Sequence, residues 1–455
     1  MKRIWLIDAT SYQKEIDREL LEIKKNYFII KSYVRKKNIG DHILPTQRTF
    51  STGLLRIATL LSRMGYSVTY FHLSDFLEDE VLANTITLPN IIAFSCVCPT
   101  IPICDKLSKR IKEINKSIIT VVGGAHINVA LNKTKQRYSS FDRYSYGYEL
   151  EAVSRIIDTE VPKNVELLPY VDYSLLPYSL MEYDINVFST LGCPFHCEYC
   201  QDGQMPYFEY LLDGGLSIIQ NQLAPGKLIH FFDSTLGYSE TRLMGVCTTL
   251  KKLHHPFILS CDLRAEFINP ATVVALEEAG FKEIRIGFET NDVEVLKKNK
   301  RVILPETILD KIKTIRDYSG IYLTIYTVSG LPGYTLDTYK KNNEIYSYLL
   351  ESRLVDEIKN AQYVPYPRDD VDFSKRGVII KNNHWGCYDR QSYPVYETSE
   401  LTQQQIWTGF IETQRNINQA WIAGLGFSDI KDLSCFDVYP EYIVNNYLER
   451  SNDND

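Results

Sequence analysis

The stretch Thr190-Leu191-Gly192-Cys193-Pro194-Phe195-His196-Cys197-Glu198-Tyr199-Cys200 decides how this chain is read. Three thiols fall within eight residues at the spacing C-x3-C-x2-C, so one tight loop presents all three to a single metal group. That donor set suits an iron–sulfur cluster whose fourth iron lacks a protein ligand. A structural zinc site closes itself with a fourth Cys or His at short spacing. His196 lies inside the loop, where its neighbours already turn the chain around the metal. Cys193, Cys197 and Cys200 are therefore the candidate metal ligands.

Outward from this loop, the 455 residues leave room for two or three domains with cores of their own. Hydrophobic residues at 44% and charged residues at 24% describe a globular chain. A net charge of −7 gives no general attraction to nucleic acid or an anionic membrane. The N-terminal apolar run is too short for a signal peptide, and no stretch approaches a membrane span of about 20 apolar residues. Ten cysteines, three of them clustered, fit a reducing cytoplasm better than a disulfide scaffold. The 32 tyrosines suit either a ligand groove or ordinary half-buried packing.

Residues 1–160 alternate β-rich runs with amphipathic helices. Strands are expected at Arg3–Ile7, Ser67–His72, Asn90–Val97 and Ser117–Val122, with helices over Gly53–Met64 and Ile103–Ile114. This βαβ rhythm argues for a Rossmann-like, doubly wound parallel sheet with ligands at the carboxyl ends of its strands. Gly123, Gly124 and His126 fall at such an end, where the backbone either approaches a large planar ligand or makes a tight turn with a surface histidine. The charged residues 11–45 read as an irregular excursion, and 161–185, with Pro162, Pro169 and Pro177, as an extended linker.

From 186 to 345 further βα units follow, with strands at Asn186–Ser189, Leu228–Phe232, Phe257–Cys261, Glu283–Ile286 and Leu323–Val328. Helices at Thr241–Leu253, Pro270–Ala279 and Pro305–Tyr318 separate them. The pattern predicts a full or partial α/β barrel of TIM type with its chemistry at the strands' carboxyl ends. Asp233, Arg264, Glu289 and the turn Gly330-Leu331-Pro332-Gly333 all fall there.

The cysteine loop, with Tyr199 before its last cysteine, resembles the radical S-adenosylmethionine (SAM) superfamily. So do Phe231-Phe232-Asp233, Cys261-Asp262-Leu263-Arg264-Ala265, Ile286-Gly287-Phe288-Glu289-Thr290 and Gly330-Leu331-Pro332-Gly333-Tyr334. The resemblance implies a [4Fe-4S] cluster whose open iron chelates SAM and whose electron gives a 5′-deoxyadenosyl radical. It also implies a cellular electron donor such as flavodoxin or ferredoxin. Tyr199 would then lie near adenine, and Arg264 would offer its fork to the SAM carboxylate. A Rossmann-like domain ahead of such a core is similar to the cobalamin-binding subfamily, through Thr52-Gly53-Leu54-Leu55, Val122-Gly123-Gly124-Ala125-His126 and Tyr146-Gly147-Tyr148-Glu149. No Asp-x-His-x-x-Gly pattern is present to give cobalt a histidine ligand, so this domain either binds cobalamin without it or serves as a scaffold.

Residues 346–455 turn irregular and aromatic, with a helix expected over Leu401–Asn418 capped by Thr402 or Ser399. Such a segment covers the substrate in radical SAM enzymes, and it carries Cys387 between Gly386 and Tyr388. A thiol S–H gives a hydrogen atom to a carbon radical, so the layout is similar to the proteusin-type peptide epimerases, with Cys387 as donor and Cys435, Cys261 and Cys247 as weaker candidates. That reading implies a ribosomal precursor peptide as partner and L-to-D epimerisation as the reaction. A cobalamin-dependent methyltransferase acting at an unactivated carbon is the competing enzyme reading. A redox sensor is the third, and the SAM-contact positions argue against it.

Overall fold

Residues 2–10, 17–39, 49–78, 88–161, 171–180, 183–209, 212, 223, 225–299 and 303–433 are described by the structure, a computed structural model. The chain begins with strand β1 (Arg3–Ala9), helices α1 (Arg18–Ile39) and α2 (Thr52–Arg63), strand β2 (Ser67–His72) and a short helix α3 (Leu73–Glu78). Then come β3 (Ile91–Cys96), α4 (Ile101–Ile114), β4 (Ile119–Gly123), α5 (Ala125–Arg137), β5 (Arg143–Tyr144) and α6 (Glu149–Ile157). The five strands make one parallel sheet in the order β2-β1-β3-β4-β5, a doubly wound arrangement whose winding reverses between β1 and β3. Both faces are covered. Ile4, Leu6, Ile91 and Ala93 pack to one side, and Trp5, Ile7, Ile92 and Phe94 to the other. At the carboxyl end of β1 the buried Asp8 accepts from Ser51 N at 2.6 Å and Tyr70 Oη at 2.6 Å, which ties the strand end to the start of α2.

The second half continues with β6 (Ile185–Val187), the hairpin strands β7 (Thr190–Leu191) and β8 (Phe208–Glu209), β9 (Leu228–Phe231), α7 (Glu240–Leu253), β10 (Ile258–Leu263) and α8 (Pro270–Glu278). Next are β11 (Phe281–Glu289), α9 (Val293–Lys298), α10 (Pro305–Tyr318), β12 (Tyr322–Ser329), α11 (Leu336–Glu351) and β13 (Glu357–Gln362). A six-stranded parallel sheet runs β6-β9-β10-β11-β12-β13, a partial barrel with helices outside. The last segment pairs β14 (Val378–Ile380) with β15 (Tyr396–Thr398) and ends in the 22-residue α12 (Gln403–Gly424), capped by Thr402 as expected.

Three expectations need correction. The excursion over 11–45 contains the helix α1, and the rest of it, 11–16 and 40–45, lies outside the described residues. The barrel sheet does not end at residue 345: β13 adds a sixth strand, unmarked by any apolar run because Glu357 and Lys359 occupy its inward face. The linker is more than surface chain. Residues 162–170 and 181–182 lie outside the described residues, yet Tyr183 is fully buried and its hydroxyl meets His72 Nε2 at 2.8 Å.

Helix α1 belongs sequentially to the first sheet and spatially to the barrel. Its Leu20 and Ile23 pack with Trp407, Phe410 and Ile411 of α12. Its cations meet the barrel's inward-facing carboxylates, Lys31 Nζ at 2.9 Å from Glu357 and Arg35 Nη2 at 2.5 Å from Glu283. Both carboxylates are wholly buried, and each is held well below the usual carboxylate range by its cations, which outweigh the burial that would raise it. Removing one partner from such a pair strands a buried charge, so Lys31→Met is expected to cost roughly 3–5 kcal/mol in urea unfolding. Lys25→Met, which breaks an exposed pair with Glu22, is expected to cost under about 0.5 kcal/mol. Equal effects would mean that α1 contributes no buried ion pair.

Candidate functional site

The cysteine loop hangs between two fixed points at the carboxyl mouth of the barrel. At its entry, the buried Asp233 just past β9 accepts from Ser189 N and Thr190 N at 2.7 Å each and from Ser189 Oγ at 2.5 Å. Burial pushes this carboxyl up to about 6 against those hydrogen bonds. Both oxygens are thus engaged by the segment that delivers the loop, and Asp233 anchors it there. At the loop's exit the β7–β8 hairpin closes the turn. Gly192, between β7 and Cys193, adopts φ +68°, and a Cβ at that residue would fall 2.3 Å from Pro206 O, so glycine is required.

Between these points Glu198 carries the loop backbone. Its N–H donates to Asn299 O at 3.2 Å, and its carbonyl accepts from Arg376 Nη1 at 3.1 Å and Arg368 Nη1 at 3.4 Å. Asn299 in turn donates to Pro332 O at 3.0 Å, within the Gly330–Gly333 turn. That turn is itself clamped by Tyr396, whose hydroxyl donates to Gly330 O at 2.6 Å. Glu198, Asn299, Arg368 and Arg376 were not singled out from sequence. The one available signal was the Gly-Leu-Pro-Gly turn, which marks the place but not its partners.

Cys193, Cys197 and Cys200 are half-buried on this loop. Among the described residues no group of three His, Cys, Asp or Glu is gathered as a bound metal would hold it. Donor chemistry and position still fit a cluster: three thiols share one loop, and a cation faces them. Arg264, just beyond β10, puts Nη1 at 3.8 Å from Cys197 Sγ and stacks its guanidinium 3.8 Å from the Phe195 ring centroid. Its Nη2 pairs with Glu266. Burial, with Asp202 adding to it, pushes the Cys200 thiol up to about 12. A metal ion reverses that preference by binding the thiolate. His196 lies on the same loop, its ring oriented by Nδ1 meeting Gly203 O at 2.7 Å.

The remaining expected residues separate into two places. Glu289 ends β11 in the left-handed region at φ +52°, after a bulge that folds its carboxylate back over Gly287. Tyr199 packs against the apolar cluster shared by the first sheet and the C-terminal segment. His126 lies at the carboxyl edge of the first sheet and is buried, not a surface residue. Its ring meets Trp385 edge-on at 5.0 Å, neither ring nitrogen has a hydrogen-bond partner, and burial pushes it down to about 4. The glycine beside it answers a different need: at φ +104°, a Cβ on Gly124 would lie 2.4 Å from Cys96 O, and one on Gly123 would press on Ser145. Both glycines let neighbouring strands close up. Cys387 lies in the turn Trp385–Cys387, which packs on residues Cys98–Thr100 and α4 of the first domain, with its Sγ 3.8 Å from His384 Nδ1. Cys247 and Cys261 are buried in the barrel wall, and Cys435 lies outside the described residues.

Residues 46–157 match the B12 binding domain family. An uncharacterised methyltransferase of Pyrococcus horikoshii is 21% identical over 360 residues, covering 70% of this chain and 76% of the relative. Among solved structures, the radical SAM methyltransferase TsrM from Kitasatospora setae, with cobalamin and a [4Fe-4S] cluster bound, superimposes with a TM-score of 0.63 at 12% identity over 99% of this chain and 100% of its own. The cobalamin-dependent SAM radical enzyme OxsB, with aqua-cobalamin and SAM bound, gives 0.54 at 14% identity over 78% of this chain and 52% of its own. At these identities the likeness is one of fold: a B12-binding-type Rossmann domain followed by a radical SAM-type partial barrel, the architecture of the cobalamin-dependent radical SAM methyltransferases.

Proposed function

We propose that this chain is a cobalamin-dependent radical SAM enzyme that transfers a methyl group from SAM to its substrate. The observation that carries the reading is the juxtaposition of three loop thiols with Arg264 at the mouth of a barrel that follows a B12-binding-type sheet. When bound, the cluster supplies an electron, SAM the group to be moved and cobalamin a carrier for it. Cys193, Cys197 and Cys200 would hold the cluster, with the Arg264 cation offsetting its negative charge and presenting a fork for a carboxylate. The strand ends of the first sheet would hold cobalamin. Among the described residues, the unpartnered nitrogens of His126, buried there, are polar atoms open to it.

The comparisons favour methyl transfer over the epimerisation first expected. Cys387 belongs to a turn seated on the first domain, and its neighbours are the groups of that sheet's edge. The substrate is a small molecule or a peptide.

Anaerobically reconstituted Cys197→Ala is expected to lose the cluster absorbance and most of its bound iron, while wild type retains them; full iron in the variant would sink the cluster assignment. Wild type given hydroxocobalamin, SAM, a reductant and a substrate extract in deuterated water is expected to release S-adenosylhomocysteine and a product heavier by one methyl group. A product gaining only one deuterium, with 5′-deoxyadenosine as the sole SAM fragment, would restore the epimerase reading, and Cys387→Ala should then abolish it. His126 makes a separate prediction in the cofactor-free chain. Its folded pKa of about 4 lies below the ordinary 6.5, so the unfolded chain binds the extra proton and stability falls as pH drops from 6.5 towards 4. His126→Phe is expected to remove up to about 3 kcal/mol of that acid dependence, read as a flatter melting-temperature profile across this window.

A further inference from the structure

The barrel interior below Arg264 holds a set of charges that the proposed chemistry does not use. Strand alternation sends Asp262 of β10, Glu283 and Arg285 of β11, Tyr322 and Tyr326 of β12, and Glu357 and Lys359 of β13 to the same inner face. Register places Tyr326 beside Lys359, and Asp262 beside Arg285. Helix α1 adds Lys31 and Arg35 from below.

These groups are not equally satisfied. Glu283 is held by Arg35 at 2.5 Å and Arg285 at 2.8 Å, and Glu357 by Lys31 at 2.9 Å and by Tyr27. Lys359 comes last. Its ammonium stands 3.9 Å from Glu357, a carboxylate already taken, and 5.5 Å from the Tyr326 ring centroid. Three carboxylates, Glu283, Glu357 and Asp262, face four cations, Lys31, Arg35, Arg285 and Lys359. His230 beside them is kept neutral by burial and by Arg285. With Lys359 protonated one positive charge is left over, and burial, with that surplus, brings the Lys359 ammonium down to about 7 despite Glu357. Exposure follows the same division. Glu283 and Glu357 side chains show no surface, whereas the Lys359 and Asp262 side chains each keep 26% of theirs, and Asp262 Oδ1 is buried without a hydrogen-bond partner.

We propose that Lys359 is the anion-binding residue of the substrate site, taking a carboxylate carried by the substrate alongside the Tyr326 ring, while Asp262 accepts from a hydroxyl or amine of the same molecule. An incoming carboxylate neutralises the surplus charge and replaces a 3.9 Å contact with a direct charge-assisted hydrogen bond. Arg264 and Lys359 stand on strands three steps apart, roughly 14 Å along the curved sheet at ~4.8 Å per step, which leaves room for a small molecule or one peptide end between them. The proposal rests on the barrel mouth being the reaction site, as in the preceding reading.

The test uses the reconstituted full chain and trace isotopic acetic anhydride, with Lys359 labelling read by mass spectrometry against the exposed Lys340. Acetate, succinate, 3-phenylpropionate and indole-3-propionate are compared with their amides. At least one carboxylate is expected to cut Lys359 labelling roughly tenfold at about ten times its Kd, with Lys340 unaffected and the matching amide inert. Equal protection by acid and amide, or no protection by any acid, overturns the proposal. Labelling needs no methyl transfer, so protection in a chain that transfers no methyl group would sink the function reading alone. Methyl transfer without protection would sink the role of Lys359 alone.

Discussion

Two carboxylates without any solvent exposure, Glu283 and Glu357, set the terms for the whole barrel. An unpaired buried carboxylate is too costly to remain ionised, so each must find a cation of fixed geometry. Arg285 supplies one from within the sheet, but Lys31 and Arg35 come from a helix some 250 to 330 residues upstream. That requirement pulls α1 out of the first domain and against the second. It also explains why a six-stranded, incompletely closed barrel keeps a defined interior. Helices α1 and α12 pack on one another through Leu20, Ile23 and Phe410, and α12 also lies against β12 and β13.

Much of the architecture is visible in the sequence because it follows from apolar period and punctuation. The strand Ser67–His72 and the helix Pro305–Tyr318 agree with expectation residue for residue, since each is bounded by glycine or proline and neighbours a single buried face. The elements that escaped are those whose buried residues are charged. In α1 the stripe Leu20, Ile23, Tyr27, Ile30 and Val34 has helical spacing, but Lys31 and Arg35 interrupt it with charges that read as solvent-facing. Strand β13 hides for the same reason.

The site divides along similar lines. The cysteine spacing and Arg264 are local signals, and the structure puts Arg264 Nη1 at 3.8 Å from Cys197 Sγ. Asp233 shows what such a signal leaves open: a strand-end carboxylate looks the same in sequence whether it faces a cofactor or caps its neighbour's amides, as Asp233 does. His126 shows the converse, a residue that reads as a turn histidine until Trp385, far along the chain, is found lying over it.

The Glu198 carbonyl has a consequence for how the protein is assembled. Its two donors, Arg368 and Arg376, lie 170 and 178 residues further along the chain. During synthesis the first sheet can form early, because its contacts close within its own stretch of chain. The cysteine loop cannot settle then. Its backbone partners emerge from the ribosome only after the sixth barrel strand, and the same strand completes the salt link to α1. Contacts of such long reach close late in folding. A cluster held by these thiols would therefore enter at the end of translation, when the loop first becomes a fixed receptacle, and a truncated chain would carry the thiols without the frame that holds them still.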